Sequence, residues 1–374
     1  MQTKRKLVYI WPLCTRIVHW VIALSFLLSF FTAFFHQYFM LHIAFGYVFG
    51  LMLVFRLIWG FLGPDYATFK RFILDFKSLV FYFQEKWHNR WRKIHCGHNA
   101  ASSWFTLIVL AFGFGIVLSG IILYGTQEAS GPLASLNARY FSWSFLLQNI
   151  HTYLSYFVFV WVCVHIIGVF IEQFYHKTDM VFAMILGYKR CDGDDTQLSS
   201  KQRIMAYIAL VGIISLFYII MYTSTFLTQT TFQKRDYKHE NFSFYEKCGS
   251  CHKHYPPFML PSASWETMMQ GLSNHFGEAI SEHNISKNEQ SSIRAYLIAN
   301  SAESSTQKIA FKTLQSLGDM RPLSITKSPY WRDAHHDLKA FVFQNPNIKD
   351  RSNCFACHAH FEEGLFENRF IHLP

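Results

Sequence analysis

The 374-residue chain is 51% hydrophobic and 18% aromatic, with only 16% charged residues, against about 25% in an ordinary soluble domain; a wholly water-soluble protein is excluded. The net charge of +10 is uneven. Residues 1–228 carry 18 Lys+Arg against 9 Asp+Glu, whereas residues 229–374 carry 16 against 15. A basic excess confined to the apolar part argues for membrane topology and against a nucleic-acid partner.

A membrane span needs about 20 mostly apolar residues. Five stretches qualify, at roughly 17–35, 41–62, 100–123, 150–171 and 204–227. The first follows Lys4, Arg5 and Lys6, as a signal peptide would. It is long, contains a histidine and is not followed by a small-x-small cleavage site, so it reads as a retained helix.

The loops give the orientation, because Lys and Arg accumulate on the cytoplasmic side. Basic residues gather before the first span (Lys4, Arg5, Lys6, Arg16), in loop 63–98 (Lys70, Arg71, Lys77, Lys86, Arg90, Arg92, Lys93) and in loop 172–203 (Lys177, Lys189, Arg190, Lys201, Arg203). The alternate loops, 36–40 and 124–149, hold Arg139 alone. The N-terminus is therefore expected inside and residues 229–374 outside. The expected domains are a four-helix membrane domain at 1–200, a fifth transmembrane helix and linker at 201–235, and an outer domain at 236–374.

Ionisable residues within spans suggest function. His19 lies at the inner end of the first span, His42 at the outer end of the second, and His151 and His165 in the fourth. The last two are 14 residues apart, about four turns or ~21 Å along the axis and close to one face. This sorts the four into an inner level, His19 with His165, and an outer level, His42 with His151. Each level suits a bis-histidine heme b, and two stacked hemes would carry electrons through the bilayer. Arg16 and Arg56, near the inner ends, suit heme propionates or inside-positive anchoring. His98, in Cys96-Gly-His98-Asn99, is a polar cap or a quinone or propionate contact.

These residues resemble the cytochrome b561 family, in its bacterial, nickel-iron hydrogenase b-subunit branch. The matching pieces are Thr15-Arg-Ile-Val-His19-Trp20, Leu41-His42-x-x-x-Gly46-Tyr47, Phe55-Arg56-Leu-Ile-Trp59-Gly60-Phe-Leu-Gly63-Pro64, Gly97-His98-Asn99, the His151/His165 pair and Asp179-Met180-x-x-Ala183-Met184-x-x-Gly187. The resemblance covers about 1–190. It implies two hemes b on the same four histidines and, in many members, electron exchange with quinone. Here, unlike hydrogenase and formate dehydrogenase b-subunits, a soluble domain is fused after a fifth helix.

The outer domain contains Cys248-Gly-Ser-Cys251-His252 and Cys354-Phe-Ala-Cys357-His358. In this spacing two thiols add to the vinyl groups of heme and the histidine binds iron. A zinc site built from both CxxC pairs would leave the histidines unexplained. Cys14, Cys96, Cys163 and Cys191 lie in the membrane or inner loops, where they are expected to stay reduced as packing residues.

For the second axial ligands the domain offers His239, His254, His275, His283, His335, His336, His360 and His372, and spacing alone does not choose. Here the chain resembles the diheme cytochrome c family over about 240–374. The resemblance rests on Cys248-Gly-Ser-Cys-His-x-x-Tyr255-Pro256-Pro257, Leu260-Pro261-x-x-Ser264-Trp265, Gly271-Leu-Ser-Asn-His275-Phe276-Gly277, Pro329-Tyr330-Trp331-x-x-x-His335 and Cys354-x-x-Cys-His…Gly364-x-Phe366. It implies His275 and His335 as distal ligands, with His336 open as the alternative to His335. Elsewhere, Ser286-Lys-Asn-Glu289 is a capping box opening a helix through Ile293, Tyr296, Leu297 and Ile298. Ile309, Phe311, Leu314 and Leu317 mark another amphipathic helix.

The fold expected is an all-α membrane bundle of five transmembrane helices, four of them a heme-b bundle, followed by a mainly α, loop-rich diheme cytochrome c domain. The function expected is electron transfer through two hemes b and two covalently attached hemes c. It would run between the quinone pool, or another donor, and a periplasmic c-type cytochrome or reductase, across a bacterial inner membrane. An electron carrier is favoured over an enzyme, with quinol:cytochrome c-type oxidoreductase activity as the catalytic form. The alternative is a terminal reductase of a small molecule at a heme c with an open coordination site. A redox sensor lacks a signalling module, and a homodimer stays open. The roughly 145 outer residues have a modest core, so heme-free protein is expected to give no cooperative melt of this domain by circular dichroism.

Overall fold

Proline suits a helix start, where its missing N–H costs nothing, and Pro12 caps the first long helix, α1 (Leu13–Thr32). It is followed by α2 (Phe39–Leu62), α3 (Phe76–Trp87), α4 (Ala100–Glu128), α5 (Ser144–Phe170), α6 (Met180–Leu186) and α7 (Ser200–Tyr222). This is a computed structural model, and it describes residues 6–87, 95–280, 285–366 and 371–372. Lys4, Arg5, Arg90, Arg92, Lys93 and His283 lie outside the described residues.

Among the described residues five helices are long and apolar enough to cross a membrane: α1, α2, α4, the stretch containing α5, and α7. Of the C-terminal ends, two differ most from expectation. α4 runs on to Glu128. α7 stops at Tyr222, five residues early, where Thr223 turns extended (φ −128°, ψ 153°); a β-branched residue suits that conformation better than a helix. A Ser199/Gln202 capping box opens α7.

The chain divides into two compact units, 1–123 with 145–228 and 124–144 with 229–374. In the first, Phe26 of α1, Phe49 and Leu53 of α2, Leu110 and Ile116 of α4 and Val158 of α5 form one apolar cluster, so four helices share a core. α7 packs along α2, with Phe45 and Phe217 ring centroids 5.3 Å apart. Large apolar residues such as Phe31, Leu118, Val160, Ile167 and Ile214 stay exposed, as a lipid-facing surface requires.

Two short strands add to the helical architecture. β1 (Leu7–Tyr9) and β2 (Tyr188–Arg190) pair antiparallel, Leu7 opposite Arg190 and Tyr9 opposite Tyr188. Val8, Ile10 and Trp11 plug this end of the bundle together with Trp59, Cys96 and Cys191.

The expectation of reduced cysteines fails at that plug. Cys96 and Cys191 form a disulfide, while Cys14 and Cys163 remain free. The two lie 95 residues apart, a meeting that spacing does not reveal. Gly193 permits the approach: a Cβ there would fall 2.8 Å from Cys96 Sγ.

In the second unit, α8 (Ser262–Gln270), α9 (Lys287–Ala299), α10 (Lys308–Leu317) and α11 (Pro329–Ala334) are joined by long irregular segments. The Ser286/Glu289 capping box is formed in full. Phe244, Phe258, Trp265, Ile293, Leu297 and Phe361 are buried in one cluster. Ile293 is 1% exposed. Ile293→Ala is expected to cost about 2–5 kcal/mol, read as a lowered urea midpoint of this unit by tryptophan fluorescence.

Candidate functional site

Two pairs of imidazoles face each other inside the membrane bundle. His19 on α1 and His165 on α5 have ring centroids 6.5 Å apart. His42 on α2 and His151 on α5 lie 6.1 Å apart. Two more pairs form in the second unit, on a different scaffold. His252 faces His275 at 6.4 Å, and His358 faces His335 at 6.2 Å. Two metal–imidazole bonds of about 2 Å each, with a ring radius of about 1.1 Å behind each nitrogen, require a spacing of about 6 Å. The four spacings therefore fit one iron between each pair of rings.

The imidazoles are also aimed. His42 Nδ1 donates to Ser29 O at 2.8 Å, and His151 Nδ1 to Ile116 O at 3.1 Å. Ser29 and Ser119 hydroxyls sit beside the same two nitrogens at 3.2 and 3.1 Å. In the second unit, His252 Nδ1 donates to Lys253 O at 2.7 Å and His335 Nδ1 to Trp331 O at 2.8 Å. A donor bond at Nδ1 fixes the tautomer that carries its lone pair on Nε2, the form a metal takes. The inner level differs. His19 Nδ1 is buried without a partner among the described residues, and His165 is held by stacking on Phe105, 4.2 Å between centroids.

A close helix approach makes room at His151. A Cβ on Gly120 of α4 would lie 3.0 Å from His151 Cε1. A side chain there must displace the ring.

The other candidates separate. Arg16 is spent on backbone, its Nε donating to Trp11 O and its Nη1 to Ile185 O. Arg56 Nη1 is buried without a partner among the described residues, its guanidinium 5.2 Å from the Phe69 ring centre. It suits a heme carboxylate, which Arg16 does not. His98 donates from Nδ1 to Tyr66 O at 3.2 Å, between Trp11 and Phe72.

His336 is exposed. Its Nδ1 donates to Asp333 O and its Nε2 lies 3.0 Å from Asp337. Of the adjacent two, His335 is the one facing His358. Buried His254 has both nitrogens engaged, with Glu362 at 3.2 Å and Tyr245 O at 2.9 Å, and so ties the first Cys-x-x-Cys-His segment to the chain after the second. His239 and His360 pair with Asp236 and Glu363, while exposed His372 gives its backbone N–H to Cys357 O. Among the described residues no three of His, Cys, Asp and Glu converge on one point, so the two CxxC pairs do not assemble a zinc site.

Burial first, and then His335, pulls His358 down to about 4; burial also lowers His335 and His275. The shift is toward the neutral imidazole, the form that ligates a metal. Burial pushes the Cys248 and Cys354 thiols up to about 12.

Sequence reasoning missed the groups that aim the rings. Four of them are backbone carbonyls, which carry no residue signature. Ser29, thirteen residues before His42, and Ser119, beside Gly120, could have been sought as polar residues on facing helices.

Two family models match the chain. Prokaryotic cytochrome b561 matches residues 10–187 and dihaem cytochrome c matches residues 244–366. Among solved structures, a diheme cytochrome c from Rhodobacter sphaeroides is 32% identical, matching 34% of this chain and 96% of its own length, with a TM-score of 0.30. A diheme cytochrome c from Shewanella baltica OS155 is 24% identical over 36% of this chain and 94% of its own, TM-score 0.29. No curated protein matches.

Gly120→Val is expected to remove about half of the noncovalently bound heme, measured by pyridine hemochrome analysis. Full content with an unshifted absorption band would count against the packing described.

Proposed function

Because residues 10–187 belong to the prokaryotic cytochrome b561 family and residues 244–366 to the dihaem cytochrome c family, this chain is a heme-binding membrane protein of electron transfer, and we propose that it joins the quinone pool to redox partners outside the membrane. The observation that carries the reading is the set of four histidine pairs, 6.1–6.5 Å apart on two unrelated scaffolds. Bound heme iron supplies reversible one-electron transfer.

On this reading His19 and His165 hold one heme b, and His42 and His151 the other. His151 and His165 share α5, about 21 Å apart along its axis, and so span most of a ~30 Å hydrocarbon core. Arg56 neutralises a propionate at the inner level. Cys248 and Cys251 hold one heme c, with His252 and His275 as its axial ligands. Cys354 and Cys357 hold the other, with His358 and His335. Residues 124–144 apart, the domains are taken as 1–200, 201–235 and 236–374. A reductase with an open iron needs a motif histidine without a facing imidazole, and each motif histidine has one.

The basic loops support a cytoplasmic N-terminus and a periplasmic C-terminal domain in a bacterial inner membrane. Residues 124–144 fold into one unit with 229–374, which supports placing both on the same side. The external partner is then a periplasmic c-type cytochrome or reductase, and the same ligand sets serve electron flow in either direction.

Heme analysis of the detergent-solubilised protein tests the cofactor set. Two hemes b and two hemes c per chain are expected, with the c-heme stain surviving on a denaturing gel. Hemes c without b would reduce the membrane part to an anchor. His151→Ala should remove the outer heme b, keep both hemes c and abolish their reduction by quinol in stopped-flow mixing. Heme c reduction at the native rate would sink the conduit.

A further inference from the structure

By sequence, residues 124–144 merely connect α4 to α5. In the structure they fold into the same unit as residues 229–374. The chain therefore passes between the two units at three places, after Leu123, Ser144 and Thr228, rather than once after α7.

The connection is built into its unit by specific contacts. Ala129 O accepts from Thr231 N at 2.8 Å, and Gly131 N donates to Gln229 O at 3.0 Å. Asn137, 3% exposed, donates from Nδ2 to Thr126 O at 2.8 Å and to Thr306 O at 3.2 Å. From α10, Lys308 and Phe311 point the same way, as residues three apart on a helix do. Phe311 meets Phe141 edge-on, 5.6 Å between centroids. Lys308 Nζ lies 2.6 Å from Glu128 Oε1, both side chains largely buried.

The placement of this ion pair is informative. Glu128 is the last residue of α4 and Lys308 the first of α10. A carboxylate at a helix C-terminus and an ammonium at an N-terminus both sit against the dipole of their own helix. Neither charge is favoured by its own helix, and the pair offsets both. A half-buried charge whose partner is removed is strongly destabilising.

We propose that residues 124–144 are a docking element, a stretch between α4 and α5 that is built into the dihaem domain, with the Glu128–Lys308 pair specifying the attachment. Electron tunnelling falls steeply with distance, and a domain tied by three covalent chain crossings is less free to drift than one on a single linker. That purpose rests on the conduit reading; the docking itself does not.

An arginine-specific protease reads the docking directly, because Arg139 is the only Arg in residues 124–149 and neither substitution adds another. In the full-length detergent-solubilised protein, Lys308→Glu and Glu128→Lys should each speed cleavage after Arg139 roughly tenfold or more, followed by the new N-terminus at Tyr140. The double swap Glu128→Lys/Lys308→Glu should return the rate toward that of the unmodified protein. Single variants cut at the unmodified rate, or a swap cut as fast as the singles, would overturn the proposal. If the singles do not accumulate, the swap decides: a folded, protected swap supports the docking and an absent one refutes it. Transfer to the c-type hemes after rapid reduction should slow in the singles and recover in the swap. Faster cleavage with unchanged transfer would leave the docking standing and remove its electron-transfer purpose.

Discussion

Everything in this protein is arranged around holding two imidazoles about 6 Å apart, four times over. The requirement is severe inside a membrane, where an unsatisfied ring N–H has no water to turn to. At the outer level the solution is to give each Nδ1–H to a carbonyl, Ser29 O for His42 and Ile116 O for His151. The carbonyls lie on the facing helix in each case, so the packing of α1 on α2 and of α4 on α5 sets the direction of the lone pairs. The second unit reaches the same end locally. Trp331, four residues before His335, supplies both the carbonyl and the ring on which the imidazole stacks, 4.4 Å between centroids.

Aromatic side chains do much of the remaining work at the inner level. Phe105 stacks on His165, and Phe55 stacks on Trp59 at 5.2 Å. Flat rings fill volume, keep water out and bring few competing donors. The abundance of Phe, 39 residues, thus serves both the lipid-facing surface and the walls of the ligand sites. Arg56 is the exception. Its position under Phe69 and Phe72 buries a charge that needs an anion, and a heme carboxylate is the anion the site would supply.

The parts that were legible in the sequence are those governed by period and composition. Twenty-residue apolar runs gave the five spans, and a 14-residue separation put His151 and His165 on one face of α5. The capping box at Ser286 and the amphipathic pattern from Ile309 to Leu317 gave α9 and α10. What escaped depends on long-range meetings. His335 and His336 are neighbours in sequence, and only the turn of α11 decides which faces His358. The Cys96–Cys191 bond joins residues 95 apart in sequence, from the segment before α4 and just past the end of β2. The membership of residues 124–144 in the second unit is set by Lys308, Phe311 and Thr306, some 170 residues away in sequence, which no local pattern encodes.

The disulfide carries a consequence for how the chain is made. In the proposed ligand set, Cys248, Cys251, Cys354 and Cys357 would have to be free thiols when they react with heme vinyl groups, whereas Cys96 and Cys191 are joined. In the proposed orientation each set sits in the compartment of opposite habit: the thiols face the oxidising side and the disulfide the reducing one. Maturation of one polypeptide then calls for two opposed chemistries, a reductant that keeps the exported CxxCH pairs open until heme arrives and burial that shields the inner bond from cytoplasmic thiols. With Cys191 wholly buried and Cys96 nearly so, the fold supplies that shield itself, so the bond has to close before the plug around Trp11 and Trp59 does.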